Sequence, residues 1–470
     1  MNYIPHTPGE FQAMLETLGL NQEEELFRCI PDSLKNPVID FPEPLTEMEL
    51  AEHMQSAADE NPAAGMVSFQ GGGAYRHFIP QAVPALIARG DFATAYTPYQ
   101  AEVSQGTLQA IYEFQTYMCR LTGMEAANAS MYDGASALAE AALMACRVTG
   151  KHRVAVSRAV NPRYRQVLTT YLKAPGIELR EIPAAAGGTD PDTLRKELDD
   201  SFAAVFVQQP NYFGILEPMD GIHAAAREAG CLLGVSVYVH SLGLLKSPGT
   251  CGADLVTGDL QPFGIPPQFG GPYAGFIACK QQYIRQLPGR LAGRTRDVDG
   301  RVGYVLTLQT REQHIRRSKA TSNICTNQAL CALAATVYLA LLGPQGLRRA
   351  AEHSVRNAHI LQERLCGLGG VKLAFDRPFF NEFLLELPLP VDSVIESCQA
   401  AGLLPGVRVA PADGHGREGV LVCATEATRP QDMDLFVHTL AGILEHHSAP
   451  VNHPPETPHS KASTNSSHSA

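Results

Sequence analysis

The chain has 470 residues, of which 45% are hydrophobic and 18% charged. That is the make-up of a globular protein with room for a large core and more than one domain. The net charge of -11, from Lys+Arg 37 against Asp+Glu 48, excludes the broad basic footprint of a nucleic-acid binder.

The N-terminus, MNYIPHTPGEFQAML, has no basic region followed by an apolar run, so no secretory leader is expected. Residues 1–65 read as a polar helical arm interrupted by Pro31, Pro37, Pro42 and Pro44. Within it, residues 32–35 look like a short capped turn, and an amphipathic helix follows Thr46. From 66 to 330 short apolar runs alternate with helical ones. Residues 154–157, 203–207 and 231–237 read as buried strands. A helix starting near Asp220 puts Ile222, Ala225, Ala226 and Ala229 on one face. Strand, helix, strand in that order predicts right-handed parallel crossovers and an α/β sheet covered on both faces. A further strand, 273–279, leaves a glycine-rich loop.

The most apolar stretch, 329–343, is shorter than the roughly 20 residues of a membrane span and reads as a core helix. Gly343-Pro344 should stop it. A small α+β region, 331–446, contains a helix at 346–368, strands at 382–387 and 419–424, and a closing helix at 431–445. Residues 447–470 are polar and rich in Pro, Ser and His, and are expected to be disordered. The 11 cysteines form no C-x-x-C pair. No metal site is expected, and a reducing cytoplasm fits.

Four segments carry candidate chemistry. Three adjacent glycines precede Ala74, Tyr75, Arg76 and His77, as in a loop whose backbone approaches a ligand or partner closely, or in a flexible turn. Tyr96 and Tyr99 flank Thr97-Pro98, a stiff arrangement that can aim two hydroxyls into a cleft, on a loop entering a helix near Gln105. Asp133-Gly134 opens a helix whose free N–H groups suit a phosphate or other anion. Finally, Arg311, Arg316, Arg317 and Lys319 stand before Thr321, Ser322 and Asn323. Cations followed by hydroxyl and amide donors suit phosphate or carboxylate, though a charge run is commonly a solvated face.

The motifs YTPYQAEVSQG, NASMYDG, QTREQHIRR and ATSNICTNQAL, in this order, resemble glycine decarboxylase, the P-protein of the glycine cleavage system. The resemblance spans about residues 1–446 and is to the α-type chain of the form split into two subunits. It implies the fold of the fold-type-I pyridoxal-phosphate (PLP) enzymes, an α/β large domain with a smaller C-terminal α+β domain. Such enzymes hold PLP on a lysine and set an aspartate against its ring nitrogen. Counting back from Pro272, the lysine's place falls on Gln261, and no lysine stands between Lys246 and Lys280. At the strand end where the aspartate belongs, Ser236, Tyr238 and His240 stand instead.

The resemblance therefore implies that a β-type partner subunit carries PLP covalently. This chain would complete the partner's pocket, in an enzyme that decarboxylates glycine and hands the aminomethyl group to the lipoyl arm of H-protein. Tyr96 and Tyr99 would face substrate. Thr321, Ser322, Asn323, Arg316 and Lys319 would reach the partner's PLP phosphate. The alternatives are a complete PLP enzyme of another type, such as an aminotransferase or desulfurase, and a structural or regulatory partner. Neither nucleic acid nor membrane is an expected partner.

Overall fold

The computed structural model describes residues 6–448, apart from 36, 39, 269 and 412–417. The C-terminal tail from 449 onward, expected to be disordered, lies outside the described residues. The chain divides into two units, Met1–Ala64 and Gly65–Ala470.

In the first unit, helices α1 (Pro8–Leu18) and α2 (Glu47–Asp59) open with the same device. Thr7 accepts from the Glu10 N–H while the Glu10 carboxylate takes the Thr7 N–H, and Thr46 with Glu49 repeats the pattern. Each pair satisfies two N–H groups that the first turn of a helix leaves free. The expected turn is a single 3-10 turn, Asp32–Leu34, with Lys35 2.7 Å from Asp32.

The centre of the second unit, among the described residues, is a seven-stranded sheet. Its strands are β1 (Ala126–Ala127), β2 (Arg153–Ser157), β3 (Glu178–Ile182), β4 (Phe202–Gln209), β5 (Leu232–Tyr238), β6 (Leu255–Asp259) and β7 (Gly275–Cys279). The order is β1-β7-β6-β5-β4-β2-β3. Strands β3, β2, β4, β5 and β6 pair in parallel, and β7 runs antiparallel to β6 and β1. The expected strands and parallel crossovers are present. The reversal at β7 has no sequence signal, because a strand buried on both faces reads the same in either direction.

β4 shows why the runs are continuously apolar. Val205 and Val207 enter one core with Phe114, Val235 and Tyr338, while Ala204 and Phe206 enter the other with Leu138, Val154 and Ile277. Alternate side chains point to opposite faces, so a strand covered on both sides needs apolar residues at every position. Helix α3 (Gln105–Thr122) covers the first face, and α4 (Gly134–Thr149) covers the second. α4 is buried nearly all round, and Ala137, Ala139, Ala141, Ala142 and Ala145 let it lie close to the sheet.

A hairpin, β8 (Leu291–Arg296) with β9 (Val302–Thr307), leads into the basic segment. Then comes α5 (Ala329–Cys366), broken at Gly343, where φ is 60° and Pro344 follows. Its first part lies in the main core through Ala332, Ala335, Tyr338 and Leu339. Its second part, through Ala358, Leu361 and Leu365, joins a separate core with Phe69, Phe383 and Phe436. The apolar stretch singled out in the sequence is thus a core helix. The second core covers a four-stranded sheet, β10 (Lys372–Leu373), β11 (Glu382–Glu386), β12 (Val407–Val409) and β13 (Gly419–Cys423), in the order β10-β11-β13-β12. The closing helix, α6, spans Pro430–Ser448.

Candidate functional site

The parallel strands β4, β5 and β6 end together, and the carboxyl edge of such a sheet is where α/β folds hold ligands. Gln208, Ser236, Tyr238 and Asp259 come from those ends, Tyr75 from the glycine loop, and Tyr164 from the helix Pro162–Lys173. They line a cavity of about 20 Å³, room for a single water.

Gln261, two residues past the end of β6, is 1% exposed. Its Oε1 accepts from the Tyr75 N–H at 2.8 Å, and its Nε2 donates to the carbonyls of Tyr75 (2.9 Å) and Ile265 (2.7 Å). Both donors of the amide are engaged and its oxygen is bonded. An amide nitrogen is no nucleophile, and here it also joins the glycine loop to the loop after β6.

Asp259, two residues before Gln261, ends β6. One carboxylate oxygen accepts from the Gly134 N–H at 2.9 Å and the other from the Gln261 N–H at 2.8 Å. Burial pushes this carboxyl up to about 7 against the pull of those two N–H groups. At the same helix start Asp133 caps the Ser136 N–H at 2.7 Å. The Gly134 Cβ position is already occupied, since a methyl there would strike the Tyr164 hydroxyl. At the Asp133-Gly134 helix start, where the sequence suggested an anion site, the chain's own Asp259 carboxyl takes the Gly134 N–H.

The ring space is filled as well. The Tyr75 and Tyr238 rings lie 4.3 Å apart. Tyr75 donates to Glu382 at 2.8 Å, and the Tyr238 hydroxyl meets His77 Nε2 at 2.5 Å. His77 Nδ1 lies 2.7 Å from Glu426, and its ring stacks on His240 at 3.7 Å. Burial would raise the Glu426 carboxyl, but the hydrogen bond and charge of His77 bring it down to about 2. Burial, then the charge of His77, drives His240 well below its ordinary range. His77, His240 and Glu426 lie close enough to share a metal ion. However, both His77 nitrogens are engaged, and stacked parallel rings cannot aim their nitrogens at one ion. The glycine run is explained by Glu382, which accepts from Gly72 N–H at 2.6 Å and would be struck by any Cβ on Gly71. Buried there, Glu382 is pushed up to about 7.

PLP does not fit these residues. It needs a lysine, an open seat for its phosphate and an acid at its ring nitrogen. The chain offers Gln261, a seat filled by Asp259 and Tyr164, and Tyr238 in the ring space.

The other predicted residues lie elsewhere. Tyr96 is 74% exposed, on the rim of an apolar groove with Phe92, Phe114 and Leu330. Tyr99 is half exposed, and its hydroxyl lies 3.3 Å from Arg290 Nη2. Arg290 was not singled out in the sequence, yet it is 4% exposed. It lies under the Tyr99 ring at 5.5 Å, touches Asn327 at 3.4 Å and lies 3.8 Å from Glu312. Its Nε has no hydrogen-bond partner among the described residues. The one signal for it was its place between Gly289 and the start of β8.

In the basic segment the residues divide. Ser322 is half-buried and takes the Ile324 N–H at 3.0 Å. Arg311 donates to the carbonyls of Leu287 and Gly289. By contrast, Arg316, Lys319 and Asn323 are exposed, and among the described residues their side chains have no hydrogen bond or ion pair. Thr321 is half-buried, anchored by its N–H to the Arg311 carbonyl at 3.2 Å. The structure brings Tyr99 to Arg290; it does not bring Tyr96 or Ser322 into that cluster.

Residues 1–439 match the family described as glycine cleavage system P-protein. The chain belongs to the glycine cleavage system P-protein family. It is 48% identical over 445 residues to a "Probable glycine dehydrogenase (decarboxylating) subunit 1" of Desulfitobacterium hafniense, covering 94% of this chain and 100% of that protein. A crystal structure of glycine decarboxylase (P-protein) of the glycine cleavage system, in inhibitor-bound form, superposes with a TM-score of 0.87 at 46% identity, covering 94% of this chain and 100% of that one. The Lactobacillus brevis glutamate decarboxylase shares the fold alone, at 13% identity and a TM-score of 0.67 over 90% of this chain and 98% of that one. The P-protein chain described here thus has the fold-type-I PLP-enzyme architecture.

Proposed function

We propose that this chain is subunit 1 of a two-subunit glycine dehydrogenase (decarboxylating), and that its partner, the β-type subunit, carries PLP. The observation that carries the reading is Gln261, an unreactive amide with both its donors engaged where the fold needs a lysine. The cofactor, when bound in the partner, supplies an electron sink for decarboxylation. This chain's residues bind and orient. Arg290 fixes the Tyr99 hydroxyl, which faces glycine from the rim of the shared pocket. Thr321, Asn323, Arg316 and Lys319 carry hydrogen-bonding and charged groups unengaged among the described residues, suited to a phosphate supplied by a partner. Ser322 caps the Ile324 N–H and holds the local turn. The aminomethyl group then passes to the lipoyl arm of H-protein. Scattered cysteines without C-x-x-C pairs support work in the cytoplasm.

The test is to incubate the complex with PLP, reduce with borohydride and map peptides of each subunit. The expected label is a pyridoxyl-lysine in the partner and none in this chain. A stoichiometric pyridoxyl-lysine here would overturn the reading.

A further inference from the structure

The start of α4 has the makings of a phosphate seat: a 16-residue helix with a glycine at its first position, whose N–H points at Asp259 on the wall of the small cavity. In this chain those groups are taken from within. Asp259 bonds Gly134, and Asp133 bonds Ser136 through its side chain and Ala137 through its carbonyl. Tyr164 occupies the space above Gly134. The second oxygen of Asp259 is tied to the Gln261 backbone, so the carboxylate cannot swing aside without releasing that loop.

We propose that Asp259 is the residue that keeps the cofactor out of this subunit, by holding the phosphate seat with its own carboxylate. Gln261 removes the covalent anchor, and Asp259 removes the non-covalent one. Two effects add. The Gly134 N–H is already taken, and an arriving phosphate would meet the Asp133 carboxylate, and Asp259 whenever it is ionised, in a part-buried site. The first turn of a helix needs acceptors for its free N–H groups, and Asp259 gives Gly134 one without any ligand. Asp259 is thus a specificity-determining residue, fixing which half of the enzyme takes the cofactor. The inference rests on the reading that the partner carries PLP.

The test is amide hydrogen exchange by mass spectrometry on the full chain, with any co-purifying subunit present and inorganic phosphate as the probe. Peptides covering residues 134–137 locate the effect and separate it from phosphate held by Arg316 or Lys319. In the wild-type chain, phosphate should leave exchange at 134–137 unchanged. In Asp259→Ser, checked for folding by its thermal melt, saturating phosphate should slow it by about tenfold, which corresponds to about 1.4 kcal/mol. Asp259→Gly is measured in parallel, so that a folding failure of one variant leaves the other. Phosphate protection of 134–137 in the wild-type chain would overturn the role of Asp259, and so would folded variants that gain none. A pyridoxyl-lysine in this chain is a different failure, which removes the subunit reading itself.

Discussion

The pocket around Gln261 and the segment from Arg316 to Asn323 differ in how far their polar groups are already engaged. In the pocket almost every one has an internal partner: Gln261 with Tyr75 and Ile265, Asp259 with Gly134, Glu382 with Gly72 and Tyr75, His77 with Glu426 and Tyr238. In the segment, Arg316, Lys319 and Asn323 are exposed and without side-chain partners among the described residues. One region resembles a site but is finished internally; the other resembles an ordinary basic surface but has its chemistry unassigned. Internal satisfaction marks structure, and its lack beside a well-anchored neighbour such as Ser322 marks a surface built for something outside the chain.

The comparison can be broken by substitution. Gln261→Leu should have the largest effect. It strands the buried Tyr75 N–H and two carbonyls, each costing on the order of 1–3 kcal/mol. Thermal and urea melts should show a loss of roughly 3–5 kcal/mol, offset little by the gained apolar contact. A loss below about 1 kcal/mol would mean that the amide is not a latch.

Arg290→Leu tests the border between the regions. It frees Tyr99 and Asn327 and removes the guanidinium 3.8 Å from Glu312. Glycine–CO2 exchange by the assembled enzyme should fall by about 100-fold, the effect of a misplaced positioning group. Arg290→Lys should not rescue it, since an ammonium lacks the planar fork. Full activity in either variant would reduce Arg290 to a packing residue.

The pocket also predicts a pH dependence. Asp259 and Glu382 are both pushed up to about 7 by burial. The folded chain therefore binds more protons than the unfolded one between about pH 4 and 7. Stability from these groups is present at the acidic end and is lost as pH rises through 7. Between pH 5 and 8 the loss should be about 1–2 kcal/mol, after discounting for water near Asp259. Glu426, brought down to about 2, acts in the opposite sense, and its contribution is lost only as pH falls toward 2. Asp259→Asn should flatten the decline above pH 5; an unchanged profile would place the titration elsewhere.

The smallest expected effect is in the open segment. Thr321→Val should weaken PLP binding by the assembled enzyme about tenfold, within the 1.5–3 kcal/mol of a charge-assisted hydrogen bond. Excess PLP should restore activity. Ser322→Ala should instead lower the melting temperature slightly, because its hydroxyl takes the Ile324 N–H. Equal PLP affinities for wild type and Thr321→Val would return that residue to the ordinary surface.

The large-domain strands with strong apolar runs were legible, since β2, β4 and β5 are buried on both faces. β3, with Glu178, Arg180 and Glu181, and β6, which ends in Gly258-Asp259, carry too little apolar signal to stand out. That no lysine stands between Lys246 and Lys280 could be read directly, and the resemblance pointed to Gln261. Asp259, two positions earlier, could not, because its meaning comes from Gly134, 125 residues away. Arg290 likewise draws its meaning from Tyr99, 191 residues upstream. The basic segment was legible as a cluster, but its split into a half-buried Ser322 and an exposed Arg316 depends on the fold around it.

The latch at Gln261 also has a consequence for how such a subunit can change. Replacing Gln261 with lysine alone would remove the bonds to Tyr75 and Ile265 and deliver the new amine into a pocket already filled by Asp259, Tyr75 and Tyr238. The first step toward an independent catalyst is thus a loss of stability with no return in activity. Several substitutions would have to arrive together. A division of labour held this way is entrenched: back-mutation is closed by epistasis among neighbouring side chains rather than by the loss of one reactive group.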